Sequence, residues 1–424
     1  MAERKLKLGI IGIGVGAAEM LPAMESAPTI DLFAGADIEP DVRARFKERY
    51  PEARVYDSAE ALCADPDVDV VWISTPNRFH APMTIMAAQH GKHVVVEKPM
   101  ALDMKEAESM LEACAKHGVK LVAGHTQSFN PPIRFMRQMV RSGKLGALGA
   151  VNVFAYTDWG LRPRTPDELD PAQGGGIVYR QVPHQIDSIR LIEGGMLRTV
   201  RAAVGKWMPG RSITGYYSAF MEFESGVSAV AIHEGSGYFV ASELVPWGNA
   251  KVFYTPEQRI EKRREMRAGT RPEDAEKLSL RIGGPSERRG ATRGGGPQPA
   301  GRPKWQPHDL GILIVSCERG QLRQSPYGVY VYDDDGFREV PLEVGRAARQ
   351  EELTELYNAV VLGKPVFHSG QWGMATLEVA LAIVESARTR KEITLTHQVE
   401  MDEAYDTTYP VTIAEAAEAE PAKA

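Results

Sequence analysis

The run Gly12-Ile13-Gly14-Val15-Gly16-Ala17 follows an apolar strand-like segment and opens a helix-like one, so it matches G-x-G-x-x-A in the context that gives the pattern meaning. Glycines there let the backbone turn tightly and approach a pyrophosphate, whose charge meets amide N–H groups and the positive end of the helix. Gly12, Gly14, Gly16 and Ala17 are therefore candidate dinucleotide-binding residues; the alternative is a tight structural turn. Asp37 ends the next strand-like segment, where a carboxylate would accept hydrogen bonds from both ribose hydroxyls. That carboxylate would repel a 2′-phosphate, and Ile38-Glu39-Pro40 sets no cation beside it. NAD is expected ahead of NADP, although Arg43 and Arg45 lie on the following helix. Ser74, Thr75 and Asn77 end a further strand and could line the nucleotide cleft, or could serve only as the turn that Pro76-Asn77 favours.

Two more residues suit proton transfer. Lys98 stands at the end of the strand His93 to Val96; a lysine in a cleft beside a positively charged nicotinamide would have a lowered pKa and could accept a proton or orient a hydroxyl. A surface lysine at a strand end is the bland alternative. His184, eight residues past Gly174-Gly175-Gly176, carries a ring whose ordinary pKa suits the proton leaving a carbinol, although a lone histidine is more often structural. Arg180 is a permanent cation that can grip a carboxylate with two parallel hydrogen bonds, and Arg162 and Arg164 in a nearby loop could join it or simply be solvated. If Arg180 is instead a structural ion-pair partner, Asp187 and Glu243 are candidate acids.

The elements that must position these groups follow from periodicity. Through residues 1–127, short apolar runs (6–13, 30–36, 68–74, 93–96, 120–124) alternate with helical stretches (17–26, 40–50, 81–90, 104–117). This predicts an α/β Rossmann domain on a doubly wound parallel sheet. Residues 128–400 change texture. Helices are expected at 133–141, 177–192, 350–362 and 374–389, with extended segments at 150–158, 199–206, 216–223, 227–233 and 327–332. That is a second, α+β domain on a mostly antiparallel sheet, expected to hold the substrate and any subunit contact. Within it, residues 257–305 hold thirteen Lys/Arg against seven Asp/Glu, with eight Gly and five Pro, and predict a long loop or locally disordered insertion. A solvated excursion is the first reading, a lid or subunit-contact arm the second. Residues 401–424 read as a C-terminal tail, frayed from about Ala414.

Composition narrows the function classes. Hydrophobic residues at 43% and charged residues at 25% suit a globular chain with a sizeable core, and a formal charge of −6 offers no field for nucleic acid or anionic membrane. Cys63, Cys114 and Cys317 form no CxxC pair, so neither a disulfide framework nor a zinc site is expected, and a reducing, cytoplasmic compartment is. No metal, nucleic-acid or membrane partner is expected.

Taken in order, the glycine loop, Ala36-Asp37, Ser74-Thr75-Pro76-Asn77-Arg78-Phe79-His80, Glu97-Lys98-Pro99, and Gly174-Gly175-Gly176 with His184 resemble the Gfo/Idh/MocA oxidoreductases. The resemblance implies an NAD(P)-dependent dehydrogenase in which Glu97 and Lys98 border the cofactor, Lys98 reaches the substrate hydroxyl, and the Lys98-Pro99 peptide is cis. It also implies an acid where this chain has Arg180, and a glycine where it has Val182. Arg180-Gln181-Val182-Pro183-His184-Gln185-Ile186-Asp187, Ile314 to Gly320 and Ser325-Pro326-Tyr327-Gly328 are similar to the phthalate cis-dihydrodiol dehydrogenase subgroup. That subgroup oxidises carboxylated cyclohexadiene cis-diols to catechols, so a small anionic, carboxylated substrate is expected. The alternatives are a sugar or cyclitol dehydrogenase, an NAD-dependent glycoside elimination, and a dinucleotide-binding regulator without turnover. A homo-oligomer, dimer or tetramer, is expected from the fold class.

Overall fold

Runs buried on both faces make the first sheet. The computed structural model describes residues 4–124, 127–208, 210–247, 254–286, 305, 307, 310–343 and 348–414. Strands β1 (Leu6–Ile11), β2 (Ile30–Ala36), β3 (Arg54–Tyr56), β4 (Val70–Ile73), β5 (His93–Val96) and β6 (Leu121–Ala123) lie in the order β3-β2-β1-β4-β5-β6, every pair parallel. The crossovers carry helices α1 (Val15–Ser26), α2 (Pro40–Arg49), α3 (Ala59–Ala64), α4 (His80–Gln89) and α5 (Met104–Lys116). Chain direction across the sheet reverses between β1 and β4, so a ligand crevice opens beyond their carboxyl ends. Gly12 and Ser74 stand there. β3 and α3 escaped the periodicity reading because three and six residues are too short to show a repeat.

The second half holds α6 (Pro131–Arg141), β7 (Leu148–Tyr156), α7 (Ile177–Arg180), α8 (Val182–Glu193), β8 (Leu197–Gly205), β9 (Tyr216–Phe223), β10 (Ser228–Glu234), α9 (Pro256–Ala268) and α10 (Glu273–Ser279). It continues with β11 (Ile312–Cys317), β12 (Gly320–Gln324), β13 (Gly328–Asp333), β14 (Gly336–Pro341), α11 (Ala348–Val361), α12 (Gly370–Thr389), β15 (Ile393–Thr394) and α13 (Ala404–Thr408). Nine strands form one sheet in the order β14-β13-β12-β11-β7-β10-β9-β8-β15; β7 and β10 pair in parallel and the other neighbours antiparallel. Alternation along β9 is clean: Tyr217, Ala219, Met221 and Phe223 are buried, while Phe220 faces outward at 46% exposure. The buried face packs with residues of α8 and α12 in one core.

Four expectations change. The helix expected over 177–192 is two, parted at Gln181, because Pro183 in the first turn of α8 has no N–H to continue the α7 ladder. The 257–305 insertion carries two helices, α9 and α10, before turns at 280–286: α9 is capped by Thr255, whose side chain accepts from Gln258 N, and ends at Gly269. The rest of that insertion, 287–304, lies outside the described residues. The segment after 400 is packed, with Met401, Tyr405 and Tyr409 in the core; the expectation of fraying beyond Ala414 falls outside the described residues. Finally, α11 returns to the nucleotide half. Leu353, Leu356 and Tyr357 sit in the core built by β1 and α1, so the halves are not strictly consecutive in sequence.

Candidate active site

Gly12 leaves β1 with φ +88°, and a Cβ there would stand 3.0 Å from the Ser74 carbonyl, so the loop can pass the end of β4 only as glycine. Gly16 is tighter: its Cβ would lie 2.6 Å from Ser74 Oγ. Gly14 faces open space, and α1 begins immediately after it without a side-chain cap on its first amides. This is a cradle with room for a pyrophosphate and donors aimed at it. Ala17 is fully buried and packs the helix onto the sheet. Asp37 Oδ2 accepts from Ile13 N at 2.8 Å, and Oδ1 accepts from Glu39 N at 2.9 Å, which fixes the carboxylate at the cavity edge. Arg43 donates to the Asp37 carbonyl at 2.8 Å and is thereby engaged with the backbone.

One cavity of about 1150 Å³ runs from this cradle into the second half. Gly12, Asp37, Ser74, Thr75, Asn77, Glu97, Lys98, Arg162, Arg164, Arg180 and His184 all line it. The two candidate proton-transfer residues, 86 positions apart, thus face the same space.

Each is held by its own scaffold. His80 lies beneath the Lys98 turn, its ring Nδ1 2.8 Å from the Pro99 carbonyl and its Nε2 2.9 Å from the Thr75 carbonyl. Burial pushes the His80 pKa down. The Lys98-Pro99 peptide is cis. Glu97 accepts from Arg349 Nη1 at 2.8 Å, and the same guanidinium reaches Glu352 at 3.3 Å. Burial pushes Glu352 up to about 7, while Arg349, despite its own burial, is held up by Glu97 and Glu352. Asn77 donates to the Gly174 carbonyl at 3.2 Å and so ties the nucleotide half to the glycine run.

His184 sits in the first turn of α8, a helix anchored from several sides. Asp187 accepts from Trp372 Nε1 at 2.6 Å, Gln185 donates to the Leu310 and Ile232 carbonyls, and the Arg190 guanidinium lies 3.8 Å over the Trp372 ring. A helix so pinned leaves little freedom to the His184 backbone.

Arg180 is not paired with Asp187 or Glu243. Asp187 is taken by Trp372, and Glu243 by Arg259 at 2.5 Å. Its partner is Glu168, which the sequence reading passed over: Glu168 Oε1 lies 3.2 Å from Arg180 and 3.5 Å from Arg164, and Oε2 lies 2.7 Å from Lys277. Glu168 is 5% exposed, and these cations overcome its burial and hold its carboxyl far below the ordinary range. Arg164 also lies 3.9 Å over the Trp159 ring, and Arg162 is committed to Asp158 at 3.2 Å. Neither arginine is a solvated loop residue. Lys277 comes from α10, inside the insertion, and no local motif distinguished it from the twelve other cations there. Only the i,i+4 spacing of Arg164 and Glu168 hinted at that pair.

No group of three or more potential metal-ligating side chains occurs among the described residues, and no helix among them is long and apolar enough to cross a membrane. A doubly wound domain with a glycine cradle and an acid at the second strand, opening into a cavity with a lysine and a histidine, defines a dinucleotide-dependent oxidoreductase. Residues 6–125 match the oxidoreductase family with NAD-binding Rossmann fold, and residues 133–234 match the GFO/IDH/MocA C-terminal domain. The chain belongs to the Gfo/Idh/MocA family. It is 32% identical over 386 residues to the 1-carboxy-3-chloro-3,4-dihydroxycyclohexa-1,5-diene dehydrogenase of Comamonas testosteroni, covering 90% of this chain and 95% of that one. A solved Bordetella bronchiseptica RB50 structure assigned as a dehydrogenase is 35% identical, with TM-score 0.82 over 92% of this chain and all of that one. A levoglucosan dehydrogenase in complex with NADH and levoglucosan shares the fold, at 18% identity and TM-score 0.69 over 93% of this chain.

Proposed function

We propose that the enzyme oxidises a carboxylated cyclohexadiene cis-dihydrodiol, of the phthalate type, to the aromatic catechol. The observation that carries this reading is the charge of the inner cavity wall. Arg164, Arg180 and Lys277 surround a single carboxylate, Glu168, and all four side chains are at least four-fifths buried. An excess of cationic side chains over carboxylates on a largely buried cavity wall favours an anionic ligand. A sugar site would instead call for neutral and acidic hydrogen-bonding groups. The similarity to an enzyme named for a carboxylated dihydroxycyclohexadiene supports the same reading.

A bound nicotinamide supplies the acceptor for the hydride that leaves one carbinol carbon. The chain supplies the rest. Asp37 and the glycine cradle would hold the dinucleotide in the same cavity that Lys98 lines. Lys98 and His184 bracket the carbinol: one orients the hydroxyl and the other takes its proton, a service worth about 100- to 10,000-fold when well placed. The hydroxy-ketone formed then tautomerises to the aromatic ring. Arg180 holds a ring carboxylate and so selects the carbinol presented to the two residues.

Arg180→Met is the test. It should cut kcat/KM on a carboxylated dihydrodiol by about ten- to hundredfold, the equivalent of about 1.5–3 kcal/mol for a charged hydrogen bond, and shrink the preference over an uncarboxylated diol. Arg180→Lys should recover part of it, since an ammonium keeps charge but not the planar fork. An equal loss on both diols would refute carboxylate recognition.

A further inference from the structure

The described part of the insertion bridges the two halves beside the cavity. α9 and α10 leave the second half, and the chain after α10 reaches the nucleotide half, where Ile282, 1% exposed, joins the core with Val42 and Phe46. Gly283 follows with φ +70° and rests against Arg45, whose Cδ would lie 2.5 Å from an added Cβ. Between these attachments Lys277, Leu280 and Arg281 face the cavity.

We propose that Lys277 is the second anion-recognition residue of the substrate pocket, so that Arg180 and Lys277 together select a ring bearing two carboxylates over a ring bearing one. The inference rests on the carboxylated-dihydrodiol reading above. Three observations carry it. Of the cations gathered near Glu168, Arg162 is committed to Asp158, and Arg164 is stacked on Trp159 and donates to the Trp159 carbonyl at 3.0 Å. Arg180 and Lys277 share their acidic partner, Glu168, so one carboxylate serves where two or more would balance the charge. Arg180 lines the cavity with 19% of its side chain exposed, and its buried Nε makes no hydrogen bond among the described residues. Lys277 is 15% exposed at the cavity wall, and burial brings its pKa down to about 8 in spite of Glu168. A second carboxylate would restore the charge that burial opposes.

The experiment measures binding, independent of turnover, of three inert ring probes to the NAD-loaded enzyme by calorimetry. The probes are phthalate, benzoate and the uncharged benzene-1,2-dimethanol; the proteins are wild type, Lys277→Met, Lys277→Arg and Arg180→Met. Wild type should bind phthalate about tenfold or more tighter than benzoate, the scale of one charged contact. Lys277→Met should bring the two acids within about threefold, whereas Lys277→Arg should keep much of the gap. Phthalate affinity of wild type should fall as pH rises above about 8, and that fall should vanish in Lys277→Arg. A phthalate-to-benzoate ratio in Lys277→Met equal to wild type would overturn the inference while leaving the role of Arg180 intact. If wild type binds neither acid better than the dimethanol, the carboxylate reading itself fails and takes this inference with it. Lys277→Arg keeps the test decisive if the Met variant does not fold.

Discussion

Glu168→Gln removes the one carboxylate on which three cations converge, and the structure sets the scale of the result. Glu168 is 5% exposed and receives Arg180 at 3.2 Å, Arg164 at 3.5 Å and Lys277 at 2.7 Å, together with Thr165 N at 2.8 Å. Glutamine keeps the volume and can still accept from Thr165, so packing changes little. The cations, however, lose their counter-charge. Removing one partner of a buried ion pair costs about 3–5 kcal/mol. Part of that is relieved because Lys277, whose pKa is already near 8, sheds its proton once Glu168 is neutral. A net loss of about 2–4 kcal/mol remains, which corresponds to a fall in Tm of about 5–15 °C for domains of this size. The assay is calorimetric melting with and without NAD and phthalate. The ligand should raise the Tm of Glu168→Gln more than that of wild type, since a bound carboxylate takes over the missing charge. A Tm within about 2 °C of wild type, or equal ligand shifts in the two proteins, would refute the view that this wall is an anion site held in check by its own acid.

Two further outcomes follow from the same geometry. Lys98→Met and His184→Asn should each lower kcat by about 100-fold or more while NAD still binds, and the residue acting as base should take one limb of the pH–rate profile with it; near wild-type turnover in either variant removes that residue from the mechanism. Glu352, raised by burial from the ordinary 4.5 to about 7, holds its proton more tightly folded than unfolded, so stability should fall by about 3 kcal/mol as pH rises from 4.5 to 7. His368 is held up by Glu355 at 2.9 Å against its own burial; its stabilisation is full below the ordinary histidine value and is lost as pH rises through the raised one, which adds to the same slope. Melting across that range should therefore show a marked downward slope in wild type and a flatter one in Glu352→Gln; parallel slopes would remove Glu352 from the account.

The nucleotide half was legible because its signals are local. Gly12, Gly16 and Asp37 are each required by a turn or a hydrogen bond within 24 to 62 residues of chain, and strands such as Val70–Ile73 announce their burial by composition. The inner wall of the cavity was only half legible. Arg162, Arg164 and Arg180 could be named as cations, but their acids could not, because Glu168 meets Lys277 across 109 residues and no pattern links α10 to the loop after Trp159. The insertion misled for a related reason. Its charge density and glycines mimic a solvated loop, while Thr255, Gln258 and Gly269 quietly supply the caps of a helix. Arg349 and Glu352 were hidden altogether, since α11 reads as an ordinary second-half helix until the fold returns it to the side of Glu97.

The central claim is tested most directly by NADH formation across a substrate panel: a dicarboxylated and a monocarboxylated cyclohexadiene cis-dihydrodiol, the uncarboxylated diol, myo-inositol and levoglucosan. The carboxylated dihydrodiols should give the highest kcat/KM, by about tenfold or more over the uncarboxylated diol, and NAD should outperform NADP with each of them. Faster oxidation of the cyclitol or the anhydrosugar, or no oxidation of any carboxylated diol, would contradict the account.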